Sequence, residues 1–182
     1  MRGKRMWLIG ATGVVALGAF GLYWFQPWKL FTSKAVNDVA PVVVASAGTA
    51  SPDAQAVATP TARPAVLVAN GTFVTHEHDT SGTAEVVRLP DGKHQLVFRD
   101  LSTSDGPDLR VWLTDQPVVA GRAGWHLFDD GKYLEVGRLK GTHGTLVYDL
   151  PADVDPAAFT SVTIWCKRFA VSFGAAPLVA TS

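Results

Sequence analysis

The chain from residue 67 onward alternates apolar and polar positions over short runs that are separated by turn residues. Leu109, Val111 and Leu113, for example, alternate with Arg110 and Trp112. Because successive side chains of a β-strand point to opposite faces, this two-residue period is typical of strands. The pattern predicts strands over residues 67–75, 83–89, 94–99, 109–114, 133–137, 144–150, 161–166 and 168–173.

Turn signals separate these runs. Pro90-Asp91-Gly92 lies between two of them and is typical of a hairpin. Helical signals are limited to one turn that Asp153 or Asp155 would cap, with Pro156 at its first position. Residues 67–182 are therefore predicted to form an all-β domain, an antiparallel β-sandwich or barrel of about eight strands.

The first 31 residues have a different pattern, which predicts a membrane anchor. Twenty residues without charge run from Met6 to Phe25, and Pro27 follows them. At about 1.5 Å per residue, a helix of this length spans a hydrocarbon core of roughly 30 Å. A cleavable signal peptide is the alternative, but its apolar region is usually about 7–15 residues long and a small-residue cleavage site follows it closely. We therefore expect a retained, single-pass transmembrane helix over residues 6–25.

The flanking charges predict the orientation of this helix. Arg2, Lys4 and Arg5 precede it, against Lys29 and Lys34 after it. By the positive-inside rule the N-terminus lies in the cytoplasm and the β domain lies outside it, at the cell membrane.

Residues 32–66 are rich in Ala, Val, Thr, Ser and Pro and have no sustained period. This composition predicts a flexible linker between the anchor and the domain. Val42-Val43-Val44 has the residues of a short strand, but its surroundings argue against one.

Charge and cysteine content exclude several classes of function. The formal net charge is zero, but residues 67–182 hold ten basic and fourteen acidic residues, a net charge of −4. A mildly acidic domain lacks the basic surface of a nucleic-acid-binding protein. A single cysteine, Cys166, excludes an intramolecular disulfide and any zinc site with several cysteines.

Cys166 lies in the most strand-like segment and has the same parity as Val162 and Ile164. It is the first candidate for redox chemistry, because neighbouring cations such as Lys167 and Arg168 favour the reactive thiolate. Burial as a small apolar side chain is the competing interpretation, since free cysteine is among the most buried residue types.

Other side chains offer weaker candidates. His76 and His78 would share a strand face and are a candidate zinc or copper pair, although they also suit a polar strand end. The Asp105-Gly106-Pro107-Asp108 loop has clustered carboxylates, for which a tight turn is the simpler interpretation. Trp112 and Trp165 have the parity opposite to the apolar residues beside them, so we expect them on an outer face or under a covering loop.

Several short motifs, in order along residues 68–179, resemble the DM13 domain, also called the electron-transfer DM13 domain. The motifs are Gly71-Thr72-Phe73, residues 80–86, Leu96-Val97-Phe98, residues 105–109 with Val111-Trp112-Leu113, Leu139-Lys140-Gly141, Gly144, Tyr148-Asp149-Leu150-Pro151, residues 162–169 and residues 173–178.

The resemblance implies a redox or electron-transfer role centred on Cys166, either as a bare thiol or as a ligand to a prosthetic group such as haem. The first hypothesis is therefore a membrane-tethered extracytoplasmic redox module with an unknown redox or cell-surface protein partner. The second is a non-catalytic cell-surface binding or adhesion module in which Cys166 is buried and structural. Because no second cysteine resolves an oxidised Cys166, the first hypothesis requires an outside co-reactant.

Overall fold

A computed structural model of the protein describes residues 2–44 and 64–181, without the side chains of residues 2–13, 30, 31 and 44. It contains one α-helix, α1 (Arg2–Phe25), which a short 3₁₀ helix (Pro27–Phe31) follows. The strands are β1 (Ala35–Asn37), β2 (Val43–Val44), β3 (Ala65–Thr72), β4 (Val74–Thr75), β5 (Ser81–Arg88), β6 (His94–Ser102), β7 (Leu109–Thr114), β8 (Tyr133–Arg138), β9 (His143–Asp149), β10 (Ser161–Cys166), β11 (Val171–Pro177) and β12 (Val179–Ala180).

These strands form two sheets that pack face to face as a sandwich. The larger sheet has the order β1-β9-β6-β5-β3-β12, with β2 also paired to β3, and the smaller sheet has the order β4-β11-β10-β7-β8. Among the described strands, only β1 with β9 and β2 with β3 pair in parallel. The prediction of an all-β fold is confirmed, and the sequence-predicted strand 67–75 proves to be two strands, one in each sheet.

The core lies between the two sheets and follows the two-residue period. Val111 and Leu113 of β7, with Val162 and Ile164 of β10, have no exposed surface and face the larger sheet. Cys166 belongs to the same cluster, as its parity predicts. Each fully buried apolar side chain of this kind contributes roughly 1.5–3 kcal/mol relative to an exposed one.

Each sheet is also partly covered on its outer face. Trp112 and Trp165 lie outside the smaller sheet and are buried together with Phe128, which comes from the loop of residues 115–132. The expectation that both rings lie outside the core, on an outer face or under a loop, is confirmed. On the larger sheet, Val43 packs against a buried cluster that includes Val87 and Val97.

The segment before the domain is part of the sandwich, contrary to one expectation. Ala35 to Asn37 pair with β9, and the carboxylate of Asp38 accepts a hydrogen bond of 2.9 Å from the backbone N–H of Val147. The predicted flexible linker over residues 32–66 therefore does not hold for residues 35–44, because extended chain there pairs with the free edges of β9 and β3. The expected linker residues 45–63 lie outside the described residues.

Helix α1 includes the residues of the predicted transmembrane span, 6–25. A search of the described part of the chain for a helix with the length and hydropathy needed to cross a membrane found none. The membrane anchor therefore stays a prediction.

Candidate functional site

Cys166 is the last residue of β10, at one end of the sandwich. Its backbone is in register with Leu109 of β7 and Val171 of β11, so strands flank it on both sides. The chain then turns through residues 167–170, a turn in which Ala170 has a φ of 49°. We call this region, formed by Cys166, the 167–170 turn and the 105–108 loop, the thiol end. The Cys166 side chain has 0% exposure there.

The surroundings of the sulfur favour a neutral thiol. Burial raises the pKa of Cys166 above its ordinary value, although the backbone N–H groups of Phe169, Arg168 and Asp108 act in the opposite direction. The negative charge of Glu77 raises this pKa further. An uncharged thiol is a weak nucleophile, so the native state holds Cys166 in its less reactive form.

The two cations that follow Cys166 in sequence are engaged elsewhere. Nζ of Lys167 lies 3.1 Å from Oε2 of Glu135. The Arg168 guanidinium donates to the carbonyl oxygen of Trp24 at 2.6 Å and lies over the Trp24 ring. The thiolate activation that the adjacent cations suggested therefore has no support in the geometry.

A groove of about 320 Å³ lies outside the thiol end. Its lining includes Phe169, whose backbone N–H contacts the sulfur, and Glu77, whose negative charge raises the pKa of the thiol. The last residue of α1 and the residues that follow it supply one wall, where Phe25 stacks on Phe169 with ring centroids 5.8 Å apart. Cys166 itself is not among the residues that line this groove, whereas Phe169 of the 167–170 turn is.

The same N-terminal segment is held to the 105–108 loop by polar contacts. Nζ of Lys29 lies 3.4 Å from Asp105, and the Thr32 hydroxyl donates to the other oxygen of that carboxylate at 2.8 Å. Asp105 also accepts from the backbone N–H of Gly106, while Asp108 pairs with Arg110 at 2.8 Å. The loop therefore has the geometry of a turn whose carboxylates are already paired, and the N-terminal segment docks on it.

His76 and His78 lie just beyond β4 and have different surroundings. The ring nitrogens of His76 contact the Ser172 hydroxyl at 2.8 Å and the Val119 carbonyl at 3.1 Å. Desolvation lowers the pKa of buried His76, so its neutral form is favoured. His78 packs on the ring of Phe173, with centroids 3.9 Å apart. A metal at this pair would have to displace a bond of His76, and the described residues contain no group of three or more His, Cys, Asp or Glu that suits a metal ion.

An aromatic stack, formed by Tyr133, Trp112 and Trp165, crosses the outer face of the smaller sheet. The rings of Tyr133 and Trp112 are nearly parallel, at 8°, with centroids 4.0 Å apart. Trp112 and Trp165 follow at 5.1 Å and 26°. Glu135 accepts a hydrogen bond from Nε1 of Trp112 at 3.3 Å. No sequence motif marks Tyr133 or Glu135 as functional, although their shared parity in β8 places them on one face.

The family resemblance implies, as one alternative, that Cys166 binds a prosthetic group such as haem, and the surroundings of the sulfur do not meet the requirements of such a ligand. A thiolate ligand must be deprotonated and must reach the metal. Cys166 has no exposed surface, and burial raises the pKa of its thiol. The thiol end as it stands therefore does not fit haem or another metal centre bound through this sulfur.

The fold and this site define the protein's class: a β-sandwich domain with one buried thiol at its end and tryptophans buried outside its core. A family model described as "Electron transfer DM13" matches residues 72–178. The chain belongs to the DM13 family, as its motifs indicated. Searches of curated proteins and of solved structures gave no match.

Proposed function

We propose that this DM13 domain is an electron-transfer module, tethered to the outer face of the cell membrane, in which Cys166 is the redox group. Family membership supports the general role. The single observation that supports Cys166 as its centre is the groove of about 320 Å³ beside the thiol end, whose lining includes Phe169 of the 167–170 turn and Glu77, the carboxylate whose charge acts on the thiol.

The chemistry requires a co-reactant, because Cys166 is the only cysteine of the chain. When the turn opens, water reaches the sulfur and the thiol loses its proton to solvent. The thiolate then attacks a disulfide of a small thiol or of a partner protein. One sulfur–sulfur bond forms at Cys166 as the attacked bond breaks, and the second sulfur leaves as a thiolate. An outside thiol reverses the reaction and restores Cys166.

Thiol–disulfide exchange with glutathione tests this function. The full chain in detergent is equilibrated at several ratios of reduced to oxidised glutathione, and intact mass measures the mixed disulfide. We expect a glutathione adduct that depends on the ratio and is absent in Cys166→Ser. No adduct at any ratio, in protein that forms one after unfolding, would refute the role of Cys166.

The second candidate function is a non-catalytic binding or adhesion module with a structural cysteine. The 0% exposure of Cys166 is the observation that favours it. The same experiment separates the two functions, because a structural cysteine forms no adduct in the folded protein.

The tether is proposed from the uncharged run of residues 6–25. We expect the full chain to stay with membranes after an alkaline carbonate wash and a chain without residues 1–31 to be released. Equal release of both chains would contradict the anchor. Protease added outside intact cells should cleave the β domain, and protection of the domain would contradict the outer location.

A further inference from the structure

The aromatic stack joins the surface of the domain to the interior strand that ends in Cys166. Tyr133 is 46% exposed, whereas Trp112 and Trp165 are 3% and 1% exposed. Trp165 also immediately precedes Cys166 in the sequence. A line of rings in contact therefore begins in solvent and ends beside the thiol end.

Strand register explains why these rings meet. Tyr133 pairs with Thr114 and Trp112 pairs with Glu135, so Tyr133 and Trp112 are diagonal neighbours on β8 and β7. Trp112 and Trp165 are diagonal neighbours on β7 and β10 in the same way. Diagonal positions on one face lie within reach of aromatic side chains. The stack thus follows from the pairing of three strands.

We propose that Tyr133, Trp112 and Trp165 form an electron relay, with Glu135 as the acceptor of the Trp112 indole proton. This proposal rests on the general electron-transfer role of the domain proposed above, and not on thiol–disulfide exchange at Cys166. Electron tunnelling becomes slower as the gap between redox groups grows, and the rings of the stack have centroid spacings of 4.0 and 5.1 Å. Tyrosine and tryptophan are the aromatic side chains that lose one electron most readily, whereas phenylalanine does not serve this role.

Glu135 is placed and charged for proton acceptance. It receives the Trp112 N–H at 3.3 Å, together with Arg110 at 2.7 Å and Lys167 at 3.1 Å. Burial acts to raise the pKa of Glu135, but its hydrogen bonds and neighbouring cations lower it overall. The carboxylate is therefore ionised at neutral pH, and it already accepts the Trp112 N–H whose proton it would take.

The relay transfers one electron at a time. A high-potential one-electron oxidant at the surface takes one electron from Trp112 through the stacked Tyr133 ring, and the oxidant is reduced by one electron. The indole N–H bond breaks, its proton moves to Glu135, and a neutral indolyl radical remains at Trp112. One electron then passes from Trp165 to Trp112 as the proton returns from Glu135, which leaves a radical cation at Trp165.

The experiment places the oxidant next to the stack. A ruthenium polypyridyl complex is attached to the full chain through Lys132→Cys, beside Tyr133, and flash-quench generates its Ru(III) form. Transient absorption then follows the indolyl radical. The matched control attaches the complex through Lys93→Cys, at an exposed turn beside β6 in the other sheet. We expect at least tenfold more radical with the complex at position 132.

Three variants in the Lys132→Cys chain identify the route. Trp112→Phe keeps the packing of the stack and should lower the radical yield at least tenfold. Trp125→Phe, outside the stack, should change the yield less than twofold. Glu135→Gln should give the protonated radical cation in place of the neutral radical, a spectral change that a structural role would not produce. Thermal unfolding checks that each variant is folded.

The proposal is overturned if Trp112→Phe keeps the wild-type yield, if the complex at position 93 gives as much radical, or if Glu135→Gln leaves the neutral radical unchanged. Failure of the Cys166 function looks different. In Cys166→Ser, a longer radical lifetime identifies the thiol as the next electron donor. An unchanged radical in that variant supports the relay and removes Cys166 from it.

Discussion

The reactivity of Cys166 should depend on the turn that covers it, and Phe169→Ala is the substitution that tests this dependence. Phe169 is 39% exposed and stacks on Phe25. Its backbone N–H donates to the carbonyl of Cys166 at 3.2 Å, and the N–H of Lys167 donates to Asp108 at 2.9 Å. A thiol reagent reaches the sulfur only after these contacts open.

The contacts set the size of the effect. Two backbone hydrogen bonds contribute about 1 kcal/mol each. The stacked ring pair contributes about 1 kcal/mol, and the partial burial of Phe169 contributes about 1–2 kcal/mol. Opening of the turn therefore costs roughly 4 kcal/mol, and labelling of native Cys166 should be about a thousandfold slower than labelling of the unfolded chain, at tenfold per 1.4 kcal/mol. Phe169→Ala removes about 2–3 kcal/mol of this cost, so labelling should become about fiftyfold faster.

The assay measures the rate of reaction with an aromatic disulfide reagent for the full chain at pH 8, with and without denaturant. Tyr133→Ala is the matched control, because Tyr133 is also about half exposed but lies beside the opposite end of β10. It should change the rate less than twofold. A native thiol that labels as fast as the unfolded chain would show that the turn does not cover Cys166. An equal acceleration by both variants would assign the effect to general loss of stability.

Three further predictions concern stability and docking. Desolvation lowers the pKa of His76 from its ordinary 6.5, so the folded domain binds fewer protons at this site than the unfolded chain. The contribution of His76 to the free energy of unfolding should therefore be fully present above pH 6.5 and should be lost as the pH falls below it. The fall in Tm from pH 8 to pH 5 should be smaller in His76→Gln, and an equal fall would contradict a neutral His76. Gly174→Ala places a methyl group 2.5 Å from the Thr80 side chain and should destabilise the domain by about 1–3 kcal/mol in urea unfolding, where a loss below 0.5 kcal/mol would contradict this packing. Asp105→Ala removes the carboxylate that Lys29 and Thr32 contact and should speed amide hydrogen exchange in residues 27–37. Unchanged exchange would show that docking of this segment does not depend on the Asp105 carboxylate.

Local pattern was sufficient for much of the β domain. Val162, Ile164 and Cys166 share a parity and share the core, and Trp112 and Trp165 have the other parity and lie outside it. The prediction failed where a long-range partner decides the conformation. Ala35 to Asn37 have a linker composition, yet they form a strand because the edge of β9 offers unpaired backbone groups.

The all-β class, the faces of the strands and the family could all be predicted from the sequence, because each depends on short patterns of neighbouring residues. The surroundings of Cys166 could not be predicted, because they depend on residues that only folding brings together. Lys167 and Arg168 follow it in sequence, but their charges are turned toward Glu135 and the Trp24 carbonyl. The side chains that bury Cys166, and thereby raise the pKa of its thiol, come instead from strands that are far from it along the chain. The aromatic stack likewise exists only after β7, β8 and β10 pair, since register brings together rings that are far apart along the chain.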